Sequence, residues 1–147
     1  MKNLILVATV FVSMNVFAAN SNPTVNEKVL YTFNQVFKEA QNVHWNTTAM
    51  YSEASFESGN VKTKAFLDED GNLVQTIRYY KEDKLPANIL YNIQRKYCQE
   101  VWGVTEVSNS HSTTYNVVLK CKKYWYQVKA DADGRVELIT KYTRGDI

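Results

Sequence analysis

Two segments of this 147-residue chain carry the spacing of cation ligands, Asp68-Glu69-Asp70-Gly71 and Asp131-Ala132-Asp133-Gly134. A calcium loop of the helix-loop-helix type also needs a glycine after a third ligand and a closing glutamate. Neither segment has that tail, and each lies between runs of alternating polarity, where Asp-Gly is hairpin chemistry. Both are read as turns, with a weak cation site as the alternative. His44 and His111 are the only histidines and lie in different halves, with no His-Glu-x-x-His or Cys-x-x-Cys spacing, so no metal centre is expected. There is no Gly-x-Ser-x-Gly elbow for acyl transfer and no glycine-rich phosphate loop. Glu53 and Glu57 project from one strand face about 13 Å apart, too far for a catalytic carboxylate pair. A non-enzymatic chain without a cofactor is therefore expected.

Cys98 and Cys121 are the only cysteines. In an oxidising compartment they can pair, closing a loop worth about 3 kcal/mol in the chain-entropy view. If their Cα atoms lie out of reach they stay two thiols, and the spacing leaves both readings open.

The compartment is read from the N-terminus. Lys2 supplies a positive charge, Leu4 to Val12 form an apolar run broken by Thr9, and Val16-Phe17-Ala18 offer a small-residue exit. Those are the parts of a secretory signal, so residues 1–18 are read as cleaved after Ala18 or Ala19. A spanning helix needs about 20 apolar residues, more than this run supplies, so no membrane span is expected. The mature protein is then periplasmic or secreted. Its charges nearly balance, since loss of Lys2 turns 17 basic and 15 acidic residues into 16 and 15. No footprint for nucleic acid or an anionic membrane results. Ten Tyr, three Trp and six Phe are the compositional oddity. Aromatics favour strands and interaction surfaces, which points to another extracytoplasmic protein as partner.

The elements that position these residues are written twice. Thr24 and Glu27 have capping-box spacing, and Val25, Val29, Phe33, Val36, Phe37 and Ala40 form a helical stripe. A second helix opens at Pro86, with Ile89, Leu90, Ile93 and Tyr97 as its stripe. After each helix the period changes to two. Ser52, Ala54 and Phe56 share one face, Val61, Thr63, Ala65 and Leu67 continue it past Gly59-Asn60, and Asp70-Gly71 turns the chain into Leu73 to Tyr80. The order returns downstream, with Tyr115, Val117 and Leu119, then Tyr124, Tyr126, Val128 and Ala130, then Val136 to Tyr142 beyond Asp133-Gly134. An offset of 63 carries Asp68, Asp70 and Gly71 onto Asp131, Asp133 and Gly134, and also Ala54 onto Val117 and Phe56 onto Leu119. Such a register implies duplication, with halves at about 23–82 and 83–147. Short strands near Val43–Trp45 and Val104–Val107 complete each unit. The expected fold is α+β: one antiparallel sheet of about eight strands, with both helices on one face.

Val43-His44-Trp45 after the first helix, then Tyr51, Ala54 and Phe56, then Asp68 to Gly71, then Leu85-Pro86 with Ile89, Ile93 and Tyr97, resemble the PepSY-like family. That family is also described as β-lactamase-inhibitor-like. The resemblance spans the mature chain, residues 19–147. It implies a small exported protein of a kind found mostly in Bacteroidetes. It also implies a fold like the tandem helix-and-four-strand repeat of β-lactamase inhibitory protein. The matched residues are structural ones, so they imply a fold more than an activity.

With the helices on the face of Val61, Thr63, Ala65 and Leu67, the other face is expected to show Lys62, Lys64, Phe66, Thr76, Arg78 and Tyr80. From the second unit it should show Trp125, Gln127, Lys129, Ile139 and Lys141. Aromatics with Arg and Lys are the composition of binding hot spots. The bland alternative is a solvated sheet face whose aromatics cross-pair. Trp45 and Trp102 are expected in the core or at a seam. These residues allow a protein-binding module of unknown partner or a small-ligand carrier between sheet and helices, and the family resemblance implies a further reading, an inhibitor of an extracytoplasmic hydrolase (peptidase or β-lactamase).

Overall fold

A computed structural model describes residues 24–97 and 100–145. The expected signal peptide and Cys98 lie outside them. Among the described residues, α1 (Glu27–Val36) leads to β1 (Gln41–Thr47), β2 (Ser52–Ser58), β3 (Val61–Leu67) and β4 (Leu73–Tyr80). A short 3-10 turn, Glu82–Lys84, precedes α2 (Ala87–Lys96), followed by β5 (Val101–Asn109), β6 (Thr113–Lys120), β7 (Tyr124–Asp131) and β8 (Val136–Thr143). The strands form one antiparallel sheet in chain order, as the two alternating halves predicted. Strands within each unit follow one another through short turns, whereas β4 and β5 are joined through the 3-10 turn and α2, and their pairing fuses the units into a single layer.

The cap of α1 is a correction. Asn26, not Thr24, opens the helix, its side-chain oxygen accepting the Lys28 amide at 2.9 Å. Asn at this position satisfies an orphan amide as well as Thr does. The Asn26 side-chain amide is also donated to the Glu69 carbonyl at 3.1 Å, which ties the helix start to the Asp68 turn.

Each helix presses a narrow stripe on its own unit. Val29 and Phe33 of α1 pack on Ala54, Phe56, Ala65 and Leu67. Phe33 sits 5.0 Å from the Trp45 ring and 5.2 Å from Phe56, so the half-buried Trp45 packs against the edge of this core. Ile89 and Ile93 of α2 pack on Val104, Val117, Leu119, Val128 and Ala130. This second cluster also takes in Val61 and Tyr80 from the first unit, so the two cores meet along β3 and β4. Burying a Leu or Ile side chain contributes about 1.5–3 kcal/mol, enough to fix which face the helices cover.

The Asp-x-Asp-Gly segments are turns in their geometry. Asp68 Oδ1 accepts the Asp70 and Asn72 amides at 3.0 and 2.8 Å, and Oδ2 accepts the Asn72 side-chain amide at 2.9 Å. These bonds, that from the Asn72 side chain first, hold the Asp68 carboxyl below its ordinary range. Asp131 Oδ1 accepts the Arg135 amide at 2.9 Å in the same way. Gly71 and Gly134 follow with φ of +83° and +84°, the left-handed conformation that Gly supplies at least cost. The Cys121 sulfur is disulfide-bonded.

Candidate functional site

Residues opposite one another in adjacent strands point to the same face, so the strand register assigns every side chain. The helix-bearing face holds the Phe56–Thr63–Arg78–Glu106–Tyr115–Ala130 row. The open face holds Glu57–Lys62–Tyr79–Thr105–Asn116–Lys129, and beside it Ser55–Lys64–Ile77–Val107. Lys62, Lys64, Phe66, Trp125 and Lys129 are therefore on the open face. Arg78, Tyr80 and Lys141 are not, and neither is Thr76; they stand on the helix-bearing side.

One cause explains these misplacements. The Phe66/Leu67 pair faces Gln75 and Leu73, so Val74 is an extra residue in β4. Likewise Gln127 and Val128 face Thr140 and Leu138, which leaves Ile139 extra in β8. An inserted residue inverts the alternation beyond it. Ile77 and Tyr79 thereby take the open-face places expected of Arg78 and Tyr80, and Tyr142 takes that of Lys141.

The open face is ordered differently in its two halves. In the first, lysines meet acids: Lys64 Nζ lies 2.6 Å from Glu53, and Lys62 Nζ lies 3.9 Å from Glu57. The Glu53 hydrogen bond holds the Lys64 ammonium above its ordinary pKa. His44, Ser55, Glu57, Lys62, Lys64 and Tyr79 border an open depression of about 300 Å³. Tyr51 and Phe66 form an edge-on pair at 5.4 Å. In the second half the aromatic is indole. Trp102 and Trp125 stand edge to face with centroids 5.5 Å apart, and Lys120 Nζ hangs 5.1 Å above Trp102 and 5.8 Å above Trp125. Lys81 Nζ sits 4.9 Å from the Trp102 centroid and donates to the Trp102 carbonyl.

Trp102 was expected in the core or at a seam, but it is 50% exposed. β5 is irregular between Val101 and Gly103, which lets Val101 and Val104 both reach the core while Trp102 swings out. Gly103 within a strand was the sequence signal for such a break. Tyr79, Ile77 and Lys81 are the other open-face residues that simple alternation missed, while Lys120 follows the alternation of β6.

The displaced residues make a second polar cluster on the helix side. Arg78 Nη1 reaches Glu106 Oε1 and Oε2 at 3.2 and 3.4 Å, and the Tyr80 hydroxyl donates to Oε2 at 2.5 Å. The cluster lies at the seam of the units, beside a groove of about 330 Å³ walled by Phe37, Phe56, Thr63 and Ser108. Burial first, and Glu106 second, push the Tyr80 and Tyr115 phenols up from their ordinary pKa. Lys141 Nζ lies 3.7 Å from the Tyr124 centroid. Among the described residues no group of three His, Cys, Asp or Glu is placed to hold a metal ion. No described helix is long and apolar enough to cross a membrane.

The same architecture occurs in solved structures. A BLIP-like protein from Bacteroides fragilis superposes with a TM-score of 0.62 at 16% identity, over 82% of this chain and 89% of that one. A candidate periplasmic protein from Bacteroides eggerthii gives 0.59 at 16% identity over 81% and 88%. A DUF2874 family protein from Bacteroides ovatus gives 0.59 at 19% identity over 82% and 89%. No family model matches the chain, and no curated protein does. The likeness is one of fold: the chain has a BLIP-like architecture.

Proposed function

We propose that this chain is an exported, non-enzymatic module that grips another protein with the open face of its sheet. The observation that carries this reading is the asymmetry of the sheet. Two helices cover one face, while Tyr79, Trp102 and Tyr142 stand on the other at 41, 50 and 58% exposure. An open face with Tyr and Trp beside Lys offers rigid side chains that bury area at small entropic cost. The BLIP-like fold supports the same reading, and inhibition of an extracytoplasmic peptidase or β-lactamase is its special case.

Affinity capture from an envelope extract, with the mature protein and a Tyr79→Ala/Trp125→Ala variant, tests the face. Removing two hot-spot aromatics is expected to weaken the captured complex by at least about tenfold. An unchanged capture profile from a variant with the wild-type circular dichroism spectrum would exclude the open face. Titration against a panel of β-lactamases and peptidases tests the inhibitor case, and a flat panel rejects it. Export is tested separately. Intact mass of the protein secreted by its host is expected to place the N-terminus at Ala19 or Asn20, and retention of Met1 in that fraction would contradict cleavage.

A further inference from the structure

The lysines of the open face are held in two different ways, and the difference has a functional consequence. In the first unit Lys62 and Lys64 are held by carboxylates, and Lys28, at the turn below, by Asp70 at 3.1 Å. Their charge is offset where it stands. At the Trp102 corner, Lys81 at the end of the first unit and Lys120 in the second make no ion pair among the described residues. Lys81 is held by an indole face and a backbone carbonyl, and Lys120 by two indole faces. Of the acids nearby, Asp83 lies 3.7 Å from Lys84 and Glu82 accepts from Gln94, and neither forms an ion pair with Lys81 or Lys120. Glu100 meets Lys120 through its backbone carbonyl, which accepts the Lys120 amide.

A ring face steadies an ammonium yet removes none of its formal charge. The Trp102–Trp125 pair therefore acts as a neutral scaffold that fixes two cations and leaves them available. Side-chain entropy that a flexible lysine would lose on binding is already partly lost here. Lys122 and Lys123, both exposed in the next turn, add to the local field. Arg144 closes the group from the other side, its guanidinium 6.0 Å from the Trp125 centroid and bonded to the Cys121 carbonyl at 3.2 Å.

Building on the open face as the docking surface, we infer that the Trp102–Trp125 corner is the subsite for an acidic, carboxylate-rich segment of the partner protein. The complement follows from charge: an anion placed between Lys81 and Lys120 meets two ammonium groups without an ion pair among the described residues, whereas one placed at Lys62 and Lys64 must displace Glu53 or Glu57. A lipid surface fits less well. Interfacial indoles insert an open apolar body, and these two rings carry ammonium groups on their faces.

The test uses the mature protein and a short oligoglutamate peptide, read by indole fluorescence at low salt. Binding is expected, with a loss of about tenfold on raising salt from about 20 to about 200 mM. The Lys81→Gln/Lys120→Gln variant is expected to bind about tenfold more weakly, and Lys62→Gln/Lys64→Gln to bind as the wild type does. Equal losses in the two variants, or no binding of the peptide at all, would overturn the inference. So would fluorescence that responds to phosphatidylglycerol vesicles and not to the peptide. Envelope capture separates the two levels. Capture that needs Tyr79 and Trp125 but ignores Lys81→Gln/Lys120→Gln keeps the face and rejects the acidic partner. Capture indifferent to both variants rejects the face itself.

Discussion

Gly71→Ala is expected to lower the stability of the folded protein by about 2–4 kcal/mol, the larger loss of the two Asp-Gly turns. Two separate costs meet at this position. The backbone sits at φ +83°, where a Cβ is disfavoured, and the new methyl would lie 2.7 Å from the Lys28 carbonyl oxygen and 2.9 Å from its carbon. That neighbour is backbone in the first turn of α1, so it can yield only if the helix start moves. The Asn26–Glu69 and Lys28–Asp70 contacts would move with it. Gly134→Ala carries the same conformational penalty at φ +84°, but its methyl meets the Asn92 and Asn88 side-chain amides at 3.0 and 3.2 Å. Those can rotate away for the loss of one hydrogen bond, Asn92 to the Gly134 carbonyl. A cost of about 1–2 kcal/mol is expected there. Urea unfolding of both variants, followed by circular dichroism, checks the order. Equal midpoints would mean that the α1 start does not rest on its turn as tightly as these distances state.

The same pair of turns shows what could be read from the chain. Asp68 to Gly71 and Asp131 to Gly134 gave the duplication, because a hairpin needs both a side chain that caps the turn and a residue tolerant of positive φ. Alternation gave β2, β3, β6 and β7, whose inner faces are mostly apolar, aromatic residues included, and so the sheet and its covered face followed. Alternation failed in β4 and β8. There both faces carry apolar residues, as in Leu73-Val74 and Leu138-Ile139, so nothing in composition marks which member of each pair is the bulge. The face assignment of Arg78, Tyr80 and Lys141 failed with it. Only pairing with β3 and β7 decides the phase, and pairing is a tertiary property. The Trp102 corner was hidden for a related reason, since a bulge at Trp102–Gly103 turns a residue expected inside toward solvent.

The two units thus use a similar frame in different ways. The helix side shows where they had to remain compatible. Thr63, Thr76 and Ser108 line the groove at the seam of the units, Thr63 buried and the other two half-buried. A strand pair that is half-covered favours polar side chains that bond to one another over aliphatic ones that need a lid. Arg78, Glu106 and Tyr80 supply that bonding across the β4–β5 joint, the one pairing that crosses between the units.

Glu106→Leu is accordingly expected to cost about 2–3 kcal/mol, because it strands the Arg78 guanidinium and the Tyr80 hydroxyl together. The Glu106 side chain is 12% exposed and that of Arg78 is 40% exposed, so the loss falls below the 3–5 kcal/mol of a fully buried pair. Adding Arg78→Met and Tyr80→Phe removes the stranded groups and is expected to return stability to within about 1 kcal/mol of the wild type. Failure of that recovery would assign the loss to packing and not to unpaired polar atoms. The phenols give an independent readout. Tyr80 and Tyr115 have folded pKa values above their unfolded ones, so the fold prefers the neutral form. This contribution is complete below the unfolded value of about 10 and is lost as pH rises toward the folded value, by up to about 1.4 kcal/mol per pH unit for each tyrosine. Tyr80→Phe is expected to flatten the alkaline limb of stability against pH while leaving the limb below about pH 9 parallel to the wild type. An unchanged alkaline slope would mean that the Tyr80 hydroxyl is as free to ionise in the folded chain as in the unfolded one, which its bond to Glu106 forbids.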